Sequence, residues 1–285
     1  MKRRAWCCGC GCRGFCWGAL WGGGLSAAGS AYQSAFQNAM ASPDLLGATA
    51  GSAFGAALAI LLGGSSGMIT ASAFAFGLLT VGVTCLVGSR AQGNRVVNFI
   101  LAGIMMTSLF TAGTSYIKLI ADPTDQLPAI TYWLMGSLNS TRLHDLAFAA
   151  VPMLAGILTL VLLRWRMNLL TLGDDAARSM GVNADALRLG VTISATLITA
   201  SAVAVSGMIG WVGLVIPHLC RRLVGADNRY LLPASVLLGA AFLVLVDDAA
   251  RCLSTSEIPI GILTAVIGAP FFLYLILRKE GPSCC

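Results

Sequence analysis

Charge is scarce in this chain. Asp, Glu, Lys and Arg make up 11% of its 285 residues, less than half of the ~25% found in soluble domains. So few charges cannot cover the surface of a water-soluble globule this size. The 57% of hydrophobic residues likewise excludes a disordered chain. Lysine is scarcer still, with Lys2, Lys118 and Lys279 the whole complement. None stands in a G-x-x-x-x-G-K-[ST] loop, so the chain does not hydrolyse ATP by itself. His144 and His218 are the only histidines, and no H-E-x-x-H pair exists. No G-x-S-x-G elbow comes with a plausible triad. The expectation is a protein that is not an enzyme and holds no cofactor. Mid-span acids are missing as well, since Asp247 and Asp248 stand at the end of an apolar run. That weakens an ion-coupled secondary transporter without excluding one, because some sodium sites use backbone carbonyls.

What the sequence has in quantity is long apolar runs. A bilayer core of ~30 Å takes about 20 apolar residues per helix. Nine candidate spans follow, at about 18–38, 45–63, 68–88, 96–117, 143–164, 189–206, 208–224, 231–249 and 259–278. They are too long and continuous for barrel strands. The fold class is therefore an all-α polytopic membrane protein, with membrane lipid as one partner and no nucleic acid. Small residues four apart, such as Gly47, Gly51 and Gly55, permit close helix approach.

Basic residues set the orientation. With 164–188 placed in the cytoplasm, Arg90, Arg95, Arg164, Arg166, Arg178, Arg188, Arg221, Arg222, Arg229, Arg278 and Lys279 fall inside. Only Lys118, Arg142 and Arg251 fall outside. The C-terminus is then cytoplasmic, and Lys2, Arg3, Arg4 and Arg13 stand on the unfavoured side.

Ten cysteines suggest a disulfide framework until they are placed. Five crowd into Cys7–Cys16 and two are terminal; Cys7, Cys10 and Cys12 have no histidine near, so no metal site is expected. The outer stretch 118–142 carries Tyr132 and Trp133 and is expected to hold a short surface helix. The inner stretch reads Leu172, Gly173, Asp174, Asp175, Ala176, Ala177, Arg178, Ser179, Met180, Gly181. Paired acids favour a helix start and Gly181 a stop, followed by a second short helix leading into the next span. Helical order in an inside loop suggests a docking surface for a soluble partner. Pro217 removes a helix donor and frees a carbonyl, and Gly207, Gly210, Gly213 and His218 lie beside it. A broken helix there would shape a translocation path.

The stretch Gly207 to Gly225, Gly-Met-Ile-Gly-Trp-Val-Gly-Leu-Val-Ile-Pro-His-Leu-Cys-Arg-Arg-Leu-Val-Gly, resembles the FecCD family of ABC importer permeases for iron–siderophore, haem and vitamin B12. Matches in family order add Gln33 and Asn38 with Ala41 to Gly47, Trp133 to Leu138, Leu172 to Val182, Leu231 to Pro233, and Glu257 to Phe272. The resemblance implies ten helices, a homodimer or paired permease around a central path, two cytoplasmic ABC ATPase subunits and an extracytoplasmic substrate-binding protein. It makes 172–182 (Leu172, Gly173, Asp174, Asp175, Ala176, Arg178, Gly181) the ATPase-coupling segment, within coupling helices at about 168–188. It makes Arg251 a docking residue for the binding protein. The permease domain is expected over 25–280, with a tail at 281–285. Where the family opens a helix with Arg-Leu-Pro-Arg, this chain reads Gly11 to Trp17, rich in glycine and cysteine. Codons for those residues, shifted back by one nucleotide, can encode Arg-Leu-Pro-Arg-Val-Leu-Leu. The expectation is that 1–24 is an aberrant, shifted-frame segment that has cost the first helix. The readings carried forward are a metal-chelate ABC importer permease, an ion-coupled secondary transporter, and a non-functional truncated permease.

Overall fold

The computed structural model describes residues 10–138, 143–253 and 258–277. Lys2, Arg3, Arg4, Cys7, Cys8, Arg142, Glu257, Arg278 and Lys279 lie outside the described residues. The described chain is helical: α1 (Cys10–Ala35), a 3-10 turn (Pro43–Leu46), α2 (Ala48–Leu61), α3 (Ser66–Arg90), α4 (Arg95–Ile120), α5 (Gln126–Met135), α6 (Leu143–Thr171), α7 (Asp174–Ser179), α8 (Ala184–Ser206), α9 (Val212–Val224), α10 (Asn228–Cys252) and α11 (Ile260–Leu277). Each expected span coincides with one helix. Among the described residues, five are long and apolar enough to cross a membrane: α3, α4, Ala147–Thr171 of α6, α8 and α10. The apolar helix α2 is shorter, at 14 residues, and α11 runs 18 residues.

Local sequence explains the boundaries. Ser65 accepts from the Met68 amide, Asn94 from the Val96 and Val97 amides, Asn183 from the Ala186 amide and Asp227 from the Arg229 amide. Each occupies a first-turn donor that lipid or a dry interface would leave unpaired. Gly181 closes the turn after α7, with φ 78°, and Val182 donates back to the Ala177 carbonyl. The expected second short helix is absent. Asn183 caps one continuous helix, α8, which runs from Ala184 through the bundle.

α1 lies at the centre, against α10, α8, α9 and α6. Trp21, Ala27, Ala28, Ala31, Tyr32 and Ala35 are fully buried. Lipid tails are as apolar as leucine, so close packing rather than water expulsion holds such a bundle. A Cβ on Gly22 would lie 2.1 Å from the Gly239 carbonyl, and one on Gly29 1.8 Å from the Gly213 carbonyl. Backbone therefore rides on backbone at both places. Gly22 and Gly24 belong to the glycine run expected to be aberrant, and here they pack inside the bundle beside Trp21, whose indole donates to the Ala202 carbonyl at 3.1 Å.

Most hydroxyls inside the bundle turn back onto their own helix. Ser30 donates to the Ala27 carbonyl, Thr80 to Phe76, Thr199 to Ala195 and Ser206 to Ala202. The cross-helix bonds include Tyr32 with Thr196 at 2.8 Å and Ser34 to Asn228 at 2.8 Å. By contrast with buried α1 and α8, the apolar windows of α4 and α6 are only 22% buried, so their faces await lipid or another chain.

Candidate functional site

At the end of the bundle that carries Arg95, Arg178 and Arg188, α7 stands between two glycines with positive φ, Gly173 (101°) and Gly181 (78°). Six residues cannot hold a helix by propensity alone. Ala177 is its buried anchor, and the Arg188 guanidinium of α8 reaches both Asp174 carboxylate oxygens, at 3.2 and 2.5 Å. That bond holds the Asp174 carboxyl below its usual range, with smaller help from the charges of Arg178 and Arg95. Arg188 is only 2% exposed and also donates to the Ala35 carbonyl that ends α1, at 2.9 Å. Asp185 receives Arg95 of α4 at 3.0 Å and Arg178 of α7 at 3.4 Å. Outward from this brace, Leu172, Asp175, Arg178 and Met180 are exposed. The structure thus gathers the predicted 172–182 residues into one projecting turn. Sequence reasoning missed Arg188, Asp185 and Arg95 as its support. The available signal was the i, i+3 acid–base pair just after the Asn183 cap.

The predicted break is present as a non-helical run between Ser206 and Val212. Gly207 has φ 70°, and Trp211, a non-glycine, has φ 69°. Irregular backbone inside a membrane bundle must be satisfied by protein. Here Ser137 donates to the Ser206 carbonyl at 2.8 Å, and Ile260 donates to the Gly136 carbonyl at 3.0 Å. The ends of α5, α8 and α11 therefore meet at the break. A Cβ on Gly207 would lie 2.2 Å from the Trp133 carbonyl. The Trp211 ring packs on Gly268 and meets Phe272 edge-on, 6.5 Å between centroids. Pro217 sits in the second turn of α9, not at the break. The carbonyl it cannot engage is that of Gly213, four residues back. Gln33 of α1 offers its amide there at a long 3.5 Å. His218 is half-buried on the same helix. On the other side of the break lies a cavity of about 260 Å³ lined by Leu25, Asp44, Thr49, Thr199 and Trp211 among others. Thr49 donates to Asp44 at 2.6 Å.

Toward the opposite end, Arg251 and Asp247 form an i, i+4 ion pair at 2.8 Å, with the arginine side chain 20% exposed and the carboxylate 9%. Arg251 is thus engaged by its own helix. The short helix expected in 118–142 exists as α5, but it does not lie free on the surface. Ile130 is buried in a cluster with Ala57 and Ile117, because α5 tucks against α2.

One further feature escaped the sequence reading. α4 exposes Leu101, Ile104, Ser108, Thr111 and Ser115, one after another at helical spacing along one face. Ser108 and Ser115 bond back to the Ile104 and Thr111 carbonyls, leaving hydroxyl oxygens outward on an otherwise apolar helix. The i, i+3/i+4 hydroxyl spacing was legible, but hydropathy averaged it away.

A solved transporter named for the metal-chelate ABC type, in an inward-facing conformation, superposes with a TM-score of 0.88 at 41% identity, covering 93% of this chain and 85% of that one. PsaBC from Streptococcus pneumoniae shares the fold at a TM-score of 0.64 and 16% identity, covering 93% of this chain and 91% of that one. The molybdate import system permease protein MolB of Haemophilus influenzae is 42% identical over 241 residues, 85% of this chain and 72% of that protein. The hemin transport system permease protein HmuU of Yersinia pestis is 36% identical over 248 residues, 85% of this chain and 74% of its own length. These similarities displace the ion-coupled reading and place the chain in the cytoplasmic membrane as a multi-pass permease of an ABC importer. With residues 15–278 matching, the chain belongs to the FecCD transport family.

Proposed function

We propose that this permease is worked from the cytoplasm by ATPase subunits that grip Leu172, Gly173, Asp174, Asp175, Ala176, Arg178 and Gly181, with the C-terminus on the same side. The observation that carries the reading is α7 itself: a projecting helical turn, glycine-flanked and tied down from beneath, with exposed Leu172 and Met180 beside exposed charges. ATP binding closes the partner subunits and drives α7 toward the bundle, and the helices tilt so that the path opens alternately to either side. A second permease, identical or paired, faces the sparsely buried α4, whose Ser108, Thr111 and Ser115 line the path. The broken segment at Gly207 and Gly210, with Gly213, Pro217 and His218 beyond it on α9, gives that path its outer shape. A substrate-binding protein docks over the end that carries Arg251. The cargo is a metal chelate such as an iron–siderophore, haem or cobalamin, for which a wide path with few charges is suited. An oxyanion is the second reading, favoured by the similarity to a molybdate permease.

Co-purification tests the coupling assignment. Leu172→Arg combined with Asp175→Arg alters only exposed side chains and should release the ATPase while leaving the permease folded. An ATPase that stays bound to this variant refutes the assignment. Uptake of labelled ferric chelates, haem, cobalamin and molybdate by vesicles holding the whole complex decides between the cargoes.

A further inference from the structure

We propose that Arg188 is the positioning residue through which α7 moves the membrane helices. The inference rests on the reading of α7 as the ATPase-facing element. It starts from how weakly α7 is otherwise attached. Its covalent connections run through Gly173 and Gly181, two left-handed glycines at which the chain can pivot. Its packing connection is Ala177, a single methyl. Its other ion pair, Arg178 to Asp185 at 3.4 Å, is open to solvent, with the arginine side chain 57% exposed, and is correspondingly weak. A push on a turn mounted between pivots rotates the turn and leaves the bundle where it was, unless a rigid link opposes the rotation.

Arg188 supplies that link. Its planar guanidinium takes both oxygens of Asp174, the first residue of α7, and its Nε holds the carbonyl of Ala35, the last residue of α1. One side chain thus joins three helices, α7, α8 and α1, with donors in fixed relative orientation. It lies 3.9 Å from Asp185, which passes the connection to Arg95 in the first turn of α4. A cavity of about 370 Å³ lined by Arg95, Phe99, Asp185 and Arg188 opens beside this chain of charges. There, ion pairs rather than interlocked side chains join α4 to α8. The same brace therefore carries displacement of α7 to the hydroxyl-bearing face of α4. The guanidinium is 2% exposed, so water reaches these bonds only from the carboxylate side, where Asp174 is 30% exposed.

Hydrogen exchange on the complete permease–ATPase complex tests this, with Mg-ATP plus vanadate as the probe. In the wild type, trapping the nucleotide should alter exchange in α7 and also in the inner turns of α1, α4 and α8. In Arg188→Met, α7 should still respond, while the response of the α1 and α4 turns falls by roughly 2- to 30-fold, the range commanded by residues along a coupling network. Asp174→Asn, which removes the charge without vacating a buried position, should behave like Arg188→Met. Arg188→Lys, which retains one arm, should fall between. A full α4 and α1 response in both Arg188→Met and Asp174→Asn overturns the proposal. So does an Arg188→Met deficit that matches a loss of folded protein while Asp174→Asn responds normally. If α7 of the wild type shows no change on ATPase binding, the coupling reading fails instead, and the two failures are distinct.

Discussion

Gly29→Ala adds one methyl group at the centre of the molecule. Its Cβ would lie 1.8 Å from the Gly213 carbonyl oxygen and 2.6 Å from the Gly213 Cα. Ordinary contact begins near 3.4 Å, so about 1.6 Å must be found. Both partners are backbone, so no flexible side-chain end can give way. α1 and α9 must separate, and the Gln33 amide, already 3.5 Å from the Gly213 and Leu214 carbonyls, loses them. Overpacking costs about 1–3 kcal/mol, and a carbonyl left without its partner about 1–3 more. The expected loss is therefore about 2–6 kcal/mol. The same substitution at Gly82, inside α3 with nothing within 4 Å of the new methyl, should stabilise by about 0.5–1 kcal/mol through helix propensity. Reversible unfolding in mixed detergent–lipid micelles measures both. A Gly29→Ala protein within about 0.5 kcal/mol of wild type would refute backbone contact as the basis of this packing.

Trp211→Ala should destabilise by about 3–5 kcal/mol through loss of the ring contacts with Gly268 and Phe272. Trp211→Gly should cost about 1 kcal/mol less, because glycine accepts φ 69° without strain; the reverse order in melts of the two variants would contradict the strain argument. Arg251→Ala leaves Asp247 buried without its partner and should lower stability by about 3–5 kcal/mol, whereas a residue serving only in docking would leave the melt unchanged. Asp174 has a depressed folded-state pKa, so its contribution is present above the unfolded value and is lost as pH falls through the folded one. Exchange in α7, corrected for intrinsic rate, should be flat from about pH 5 to 8 and rise below about pH 4; loosening near neutrality would rule out this carboxylate as the tether.

The helices and α7 were legible because their signals are local. Apolar length marks a span, and Asp174, Asp175 and Gly181 mark a helix start and stop within ten residues. The break at 207–211 was announced by its glycines, although Pro217 drew attention six residues downstream. What stayed hidden depends on residues far apart in the chain. Arg188 looks like one more inside arginine until the fold sets it against Asp174 and the end of α1. The expected spans at α2 and α9 ran a few residues past the helices because hydropathy cannot register where the chain leaves its helix. Neighbouring protein satisfies the exposed backbone there, so apolar residues continue through the break. The self-bonded hydroxyls on α4 have little weight in a hydropathy sum, so their common face had no signature above the noise.

The hydroxyls that curl back onto their own helices have a mechanical consequence. A polar group satisfied at home has nothing to surrender when its neighbour slides. The hydroxyls of Thr80, Thr199 and Ser206 are already taken by Phe76, Ala195 and Ala202 of their own helices, so relative tilting there breaks few directional bonds. The interior is thus close-fitting yet nearly frictionless, a bearing rather than a weld, and fastened mainly at its inner rim.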